Sequence, residues 1–221
     1  MDIFNIVWRA ALVIATGYLL GGVPFGAIVT RRMHDVDITK VGSGNTGATN
    51  VFRAVGWRAA LVVALLDVAK GTVPALLAAL ISDPAWADSG RDLLIIAAGS
   101  AAMLGHMFSP YFRLRGGKGI ATAAGAILVL MPMVFPFLVL LFVGVILVGR
   151  IVSVASLLAA VSFPILTWTP YPGRPVLLVF ALVVLPVVVW SHRANVVRLI
   201  HGDEPRITMG RASDHSRKEQ S

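Results

Sequence analysis

The chain has 221 residues, 57% of them hydrophobic and 14% charged, with a net charge of +8 and no cysteine. An average soluble domain is about half apolar and a quarter charged, so this balance identifies a polytopic membrane protein. Lack of cysteine excludes disulfides, thiolate catalysis and cysteine-held metal. The basic residues lie in loops and tail, where the positive-inside rule and anionic lipid account for them without nucleic acid.

The first apolar run, residues 3–30, is too long for a cleaved signal segment of about 7–15 residues and lacks a basic flank, so it reads as a retained span. About 20 helical residues cross a bilayer. That length predicts spans at 5–30, 57–81, 92–108, 153–168 and 175–191. Residues 119–149 form one apolar run interrupted by Pro132 and Pro136. Proline breaks the helix ladder, so two short crossings, 119–131 and 133–149, are the alternative to one long helix, and charge favours them because a single crossing would move the basic tail to the side poor in Arg and Lys.

The resulting fold class is an all-α membrane protein with seven transmembrane helices, some of them short. Two crossings in 119–149 place the loops 31–56, 109–118 and 150–152 on one side, together with the tail from 192. Most of the Arg and Lys then share that side. The other side holds Arg9, Arg91 and Arg174 beside the acids Asp83, Asp88 and Asp92. The positive-inside rule puts the N-terminus outside and the C-terminus in the cytoplasm. Residues 1–208 make a single domain, and the polar tail 209–221 is expected to be disordered.

Four segments carry chemistry. The first is Gly42-Ser43-Gly44-Asn45-Thr46-Gly47-Ala48-Thr49-Asn50, followed by Arg53. It offers many hydrogen-bond donors and little bulk. A helix starting near Gly47 would put Thr49, Asn50 and Arg53 on one face. A flexible turn-rich loop is the plainer alternative. The second is Arg113-Leu114-Arg115-Gly116-Gly117-Lys118-Gly119, opening onto a helix. A helix N-terminus with a lysine beside it is an anion site, although the spacing is not that of a P-loop. Arg113 and Arg115 read as interface anchors, and Lys118 as a ligand contact. His106, just upstream, is either a structural or a functional histidine.

The third segment starts with Arg150 and includes Ser153 and Ser156; Ser153 is either a helix cap or a ligand contact. The fourth runs from His192 through Asn195 and Arg198 to Gly202 and Glu204. His192 and Asn195 stand at i and i+3, on one helical face, and Glu204 after the glycine caps a turn or orients a cation. Inside the second span, Asp67 and Lys70 are also at i and i+3. Intramembrane charges are usually paired or functional, and a mutual ion pair bracing the bundle is the first reading, a role in the site the second.

Taken in order, these segments resemble the bacterial acyl-phosphate:glycerol-3-phosphate acyltransferases, the PlsY family, over essentially the whole chain. The residues carrying the resemblance are Gly-Ser-Gly-Asn-x-Gly-x-Thr-Asn-x-x-Arg, Gly-His-x-Phe with Gly-Gly-Lys-Gly, the Ser153–Leu157 segment, and His192-x-x-Asn195-x-x-Arg198-Leu199-x-x-Gly202-x-Glu204. The Arg-Leu-Arg before Gly116 and the long tail depart from the usual pattern.

The resemblance implies attack of the 1-hydroxyl of glycerol 3-phosphate on a fatty acyl phosphate. The products would be 1-acylglycerol 3-phosphate and phosphate, in the first acylation of phospholipid synthesis. It implies His192, Asn195 and Lys118 as catalytic residues, and Ser43, Gly44, Asn45, Thr49, Asn50, Arg53, Gly116, Gly117, Gly119, Ser153 and Glu204 as substrate contacts. No cofactor or metal is expected, and membrane lipid and a soluble acyl-phosphate-making enzyme are the expected partners.

The residues agree with this chemistry. Two phosphorylated substrates side by side need at least two cationic centres and many N–H donors. There is no Gly-x-Ser-x-Gly elbow and no carboxylate cluster for magnesium. None of the five histidines has the aspartate spacing of the other glycerophosphate acyltransferases. The general base is either His192 or the donor's own phosphate. The competing class is a transporter or channel for a phosphate or organophosphate anion, which glycine-broken helices and intramembrane charge would also suit.

Overall fold

In hydrocarbon every main-chain N–H and C=O must be satisfied internally, and all regular structure among the described residues is helical. The computed structural model describes residues 3–83, 86 and 88–207. The expected disordered tail, 209–221, lies outside the described residues.

Helix α1 (Ile3–Gly22) and helix α2 (Phe25–His34) replace the single predicted span 5–30. Pro24 breaks the ladder between them. Side chains from other helices satisfy the carbonyls freed there: Lys70 Nζ donates to Val23 O at 3.1 Å, and Ser109 Oγ donates to Gly22 O. Helix α2 runs past the predicted end, carrying Arg31 and Arg32 in its last turn.

A short amphipathic helix α3 (Ala48–Val55) starts at Gly47, as the first motif predicted. Helix α4 (Trp57–Ile81) has the predicted bounds. Helix α5 (Asp88–Met107) starts four residues earlier than expected. The 119–149 run splits into α6 (Ile120–Leu130) and α7 (Phe135–Gly149), broken at Met131–Val134 where the prolines required it. Helices α8 (Val152–Trp168), α9 (Pro175–Ser191) and α10 (Arg193–His201) complete the chain.

Residues Phe4–His34 and helix α4 are each long and apolar enough to cross a bilayer, and α9 with α10, bent by 60° at His192, passes the same test only when the two are counted together. Helices α6, α7 and α8 are apolar but shorter.

The core is built by close approach of small residues, as in membrane bundles generally. Any side chain at Gly105 would collide with Tyr18 O, and any at Gly71 with Thr122 O. Helices α1 and α5 thus pack backbone to backbone, as do α4 and α6. Arg174, ahead of α9, forks onto the buried carboxylate of Asp92 in α5, with Nε 2.9 Å from Oδ2. A second apolar cluster (Val29, Ile38, Val51, Ala59, Ala60 and Val63) supports the first glycine-rich loop from beneath.

Candidate active site

The first loop is organised by Asn50. Its amide nitrogen donates to Asn45 O and Val41 O, each at 3.0 Å, and to Ile38 O at 3.3 Å. Its amide oxygen accepts from Ser43 N at 3.1 Å. Asn50 was expected to touch a ligand, but both ends of its buried amide are committed to the loop. The main-chain donors expected of the loop are partly spent as well: Gly44 N donates to Val41 O. That leaves the hydroxyl of Ser43, the half-buried Asn45 and the half-buried Thr49 facing outward.

Glycine is required where this loop meets α2, since a side chain at Gly26 would be driven into Thr46 O. Gly47 in turn lies against Gly117, so the two glycine-rich loops touch.

The second loop rests on His106. Gly117 N donates to His106 O at 3.1 Å, so one expected ligand donor is used internally. A side chain at Gly116 would hit the same carbonyl, and one at Gly117 would hit His106 Nε2. Gly119 caps α6 in the left-handed conformation, φ 81°. Lys118 therefore stands at a helix N-terminus whose first N–H groups have no intrahelical partner.

Glu204 joins the remaining elements. Helix α10 ends in a Schellman turn: Gly202 (φ 78°) donates to Leu199 O, and Asp203 N donates to Arg198 O. That reversal brings Glu204 back under the helix. Its Oε1 accepts from Asn195 Nδ2 at 2.6 Å and from Ser153 Oγ at 2.9 Å, and its Oε2 from Arg198 Nε at 2.7 Å. Ser153 is thus a contact within the site rather than a cap. Lys118 Nζ donates to Asn195 Oδ1. Arg53 donates to Pro205 O at 3.3 Å, and Ile207 N to Arg150 O at 2.7 Å, so the segment after α10 threads between α3 and the start of α8.

The electrostatics follow from burial and neighbours. Burial acts to raise the Glu204 carboxyl, but hydrogen bonds from Asn195, Ser153 and Arg198 outweigh it and hold the group below the usual value. Lys118 is pushed down to about 8, chiefly by burial and against the pull of Glu204, with Arg198 and Arg53 adding repulsion. His192, 2% exposed, is pushed down to about 4 by burial and by the nearby Lys118. Its Nδ1 lies 2.9 Å from Val188 O. A carbonyl only accepts, so Nδ1 carries the proton and Nε2 keeps its lone pair. His192 is the corner between α9 and α10 rather than a member of α10, and its ring turns back toward α9 instead of sharing a face with Asn195.

Arg53, Lys118, Ser153, Asn195 and Glu204 are therefore brought together, with His192 beside Lys118. Arg198 was seen as part of a pattern but not as a site residue; the signal for it was Gly202, which permits the turn that delivers Glu204 to it. Three cations around one carboxylate leave the pocket a net anion receptor.

Removing Glu204 should cost about 2–3 kcal/mol, because it strands Asn195, Ser153 and Arg198 together. Its lowered carboxyl stabilises the fold fully above its unfolded value of about 4.5, and the contribution is lost as pH falls through the lower folded value. Wild-type thermal unfolding in detergent should therefore weaken below pH 4.5 more steeply than that of Glu204→Ala.

The family model for glycerol-3-phosphate acyltransferase matches residues 11–202. A glycerol-3-phosphate acyltransferase of Sinorhizobium fredii is 40% identical over 213 residues, 94% of this chain and 98% of that one. One from Synechococcus sp. is 42% identical over 205 residues, 90% and 95% of the two chains. The crystal structure of PlsY (YgiH), an integral membrane glycerol 3-phosphate acyltransferase in its glycerol 3-phosphate form, superposes with a TM-score of 0.79 at 38% identity, covering 90% of this chain and 96% of that one. Its lysophosphatidic acid form gives 0.77 at 37% identity, covering 90% and 95%. The residues matched include both glycine-rich loops, Ser153 and the stretch from His192 to Gly202, stopping just before Glu204, and the chain belongs to the glycerol-3-phosphate acyltransferase family.

Proposed function

We propose that this acyltransferase moves a fatty acyl group from an acyl phosphate to the 1-hydroxyl of glycerol 3-phosphate. The hydroxyl oxygen bonds to the acyl carbon, the carbon–oxygen bond to phosphate breaks, and phosphate departs with the electron pair. The hydroxyl proton goes to His192 Nε2 or to the departing phosphate. An acyl phosphate is already activated, so no covalent enzyme intermediate is needed.

The observation that carries this reading is the meeting of Lys118, Arg53 and Arg198 with the Asn195–Glu204–Ser153 network beside His192. Arg53 and Lys118 neutralise the two phosphates. Asn195 orients the hydroxyl or the developing oxyanion. Glu204 holds Asn195 and Ser153, and Asn50 holds the first loop so that Ser43, Gly44, Asn45 and Thr49 line it. Gly116, Gly117 and Gly119 let the second loop come close. An apolar groove of about 360 Å³, lined by Leu104, Met107, Phe108, Pro186, Val187 and Trp190, lies just before His192 and suits the acyl chain.

The decisive assay is phosphate release from palmitoyl phosphate by the purified protein. Release should require glycerol 3-phosphate and survive excess EDTA, and no 1-acylglycerol 3-phosphate should form when palmitoyl thioesters replace palmitoyl phosphate. Release without glycerol 3-phosphate, or transfer only from thioesters, would refute the donor assignment. A transporter would release none.

We place residues 1–208 as one domain with seven spans in the bacterial cytoplasmic membrane, N-terminus outside and site facing the cytoplasm, on the asymmetry of Arg and Lys. Membrane lipid and the soluble enzyme that makes acyl phosphate are its partners. Cysteines placed at Ser43 and Ser213 should react with a membrane-impermeant reagent from one side and a cysteine at Ser89 from the other. Reaction of the Ser43 and Ser89 positions from the same side would overturn the topology.

A further inference from the structure

Asp67, Lys70 and His106 are at most 6% exposed, and the transfer reaction uses none of them. Lys70 Nζ lies 2.9 Å from Asp67 Oδ1 and donates to Val23 O at the α1–α2 break. That pair alone braces the bundle, which was the first reading of the sequence. His106 is the unexplained member. Its Nδ1 faces the same Asp67 oxygen at 3.6 Å, a long contact, and makes no shorter polar one. A buried polar ring held at that distance is weakly compensated for its lost water, a cost that an apolar residue would avoid.

The opposite edge of the ring meets the site. His106 Nε2 occupies the space a side chain at Gly117 would need, and His106 O occupies that of Gly116 while accepting Gly117 N at 3.1 Å. Four buried polar side-chain atoms among the described residues lack a partner, and two of them flank this loop. His106 Nδ1 lies behind it, and Thr122 Oγ1 lies in the first turn of α6, which the loop feeds. Polar groups left unsatisfied in this way concentrate where a structure is held for function.

We infer that His106, backed by Asp67, is a positioning residue that sets the Gly116–Gly119 loop and so places Lys118 against Asn195. The ring stands between the buried Asp67 carboxylate, which its Nδ1 faces, and the Gly117 backbone, which its Nε2 edge faces. Its width, from Nδ1 to Nε2, sets the height of the loop, and Lys118 is the next residue along. This inference rests on Lys118 being the cation that meets a phosphate.

The test reads the placement of Lys118 directly, by the pH dependence of its acetylation followed by mass spectrometry of the purified full-length protein. Asn195, Glu204, Arg198, Arg53 and His192 surround it unchanged in every variant. In His106→Ala the reactivity midpoint should rise from about 8 by about one unit or more toward the ordinary lysine value. The KM for glycerol 3-phosphate should rise about fivefold with kcat within about threefold. Asp67→Asn should move both in the same direction by less. His106→Gln, whose side-chain amide can still reach Gly117, should restore most of the KM.

An unchanged midpoint in His106→Ala and Asp67→Asn overturns the inference, and Asp67→Asn decides alone if the alanine variant fails to fold. A raised midpoint with unchanged KM supports the positioning of Lys118 by His106 and refutes instead the assignment of Lys118 to the phosphate.

Discussion

Lys118→Ala is expected to lower kcat/KM for acyl transfer by roughly 30- to 1000-fold while the protein remains folded. A charge-assisted contact to a phosphate that is largely removed from water is worth on the order of 2–4 kcal/mol in the transition state. Lys118 also holds the oxygen of Asn195, whose nitrogen is fixed by Glu204, so the substitution loosens a second group of the proposed site. The same residue sets an alkaline limit. Only the protonated amine neutralises a phosphate, and burial has pushed this amine down to about 8. Activity at low substrate should therefore fall as pH rises through about 8, and the fall should vanish in the residual activity of Lys118→Ala. Arg53→Ala should lose activity too, but less, since its exposed guanidinium is tied to Pro205 O. Arg115→Ala is the control: the side chain is exposed in the same loop and has no place in the site, and its kinetics should stay close to wild type. Near-wild-type kinetics for Lys118→Ala would dismantle the site described above.

Hydropathy and proline located α4, the α6–α7 break and α9 almost to the residue, because length and interruption are properties of the sequence itself. The break at Pro24 was missed although a proline marked it. An apolar run with one proline reads equally as a kinked span, and the carbonyls that the break frees are satisfied by Lys70 and Ser109 from distant segments. The residue types of the site were legible too: Lys118 between glycines, Ser153 at a helix start, Asn195 and Glu204 around a glycine. Their pairings were not. Asn50 looks like a ligand contact until the loop folds around it and uses both ends of its amide. Arg198 meets Glu204 only through the left-handed Gly202. Asp67 and His106 lie on different helices, and nothing in their spacing announces that they meet behind the second loop.

His192→Ala is expected to separate the two possible bases. His192 keeps Nε2 unprotonated, since Nδ1–H is held by Val188 O, so that nitrogen has a lone pair with which to accept a proton. A group pushed down to about 4 is available in its basic form at every physiological pH, yet it holds a proton weakly. If it is the base, wild-type kcat/KM should fall as pH drops through about 4, and His192→Ala should lose that limb along with roughly 10²–10⁴ in rate. If the departing phosphate takes the proton, the acidic limb belongs to the substrate. It should then sit near 6, where the second ionisation of a phosphate ester falls, and persist in His192→Ala. In that case the substitution should raise the KM for glycerol 3-phosphate more than it lowers kcat. The second outcome is the expected one. A buried imidazole beside the Lys118 ammonium gains little by becoming a second cation, whereas a phosphate that is acquiring negative charge as it leaves becomes a better base at the moment the proton must move. A variant with unchanged rate and unchanged KM would remove His192 from the site altogether.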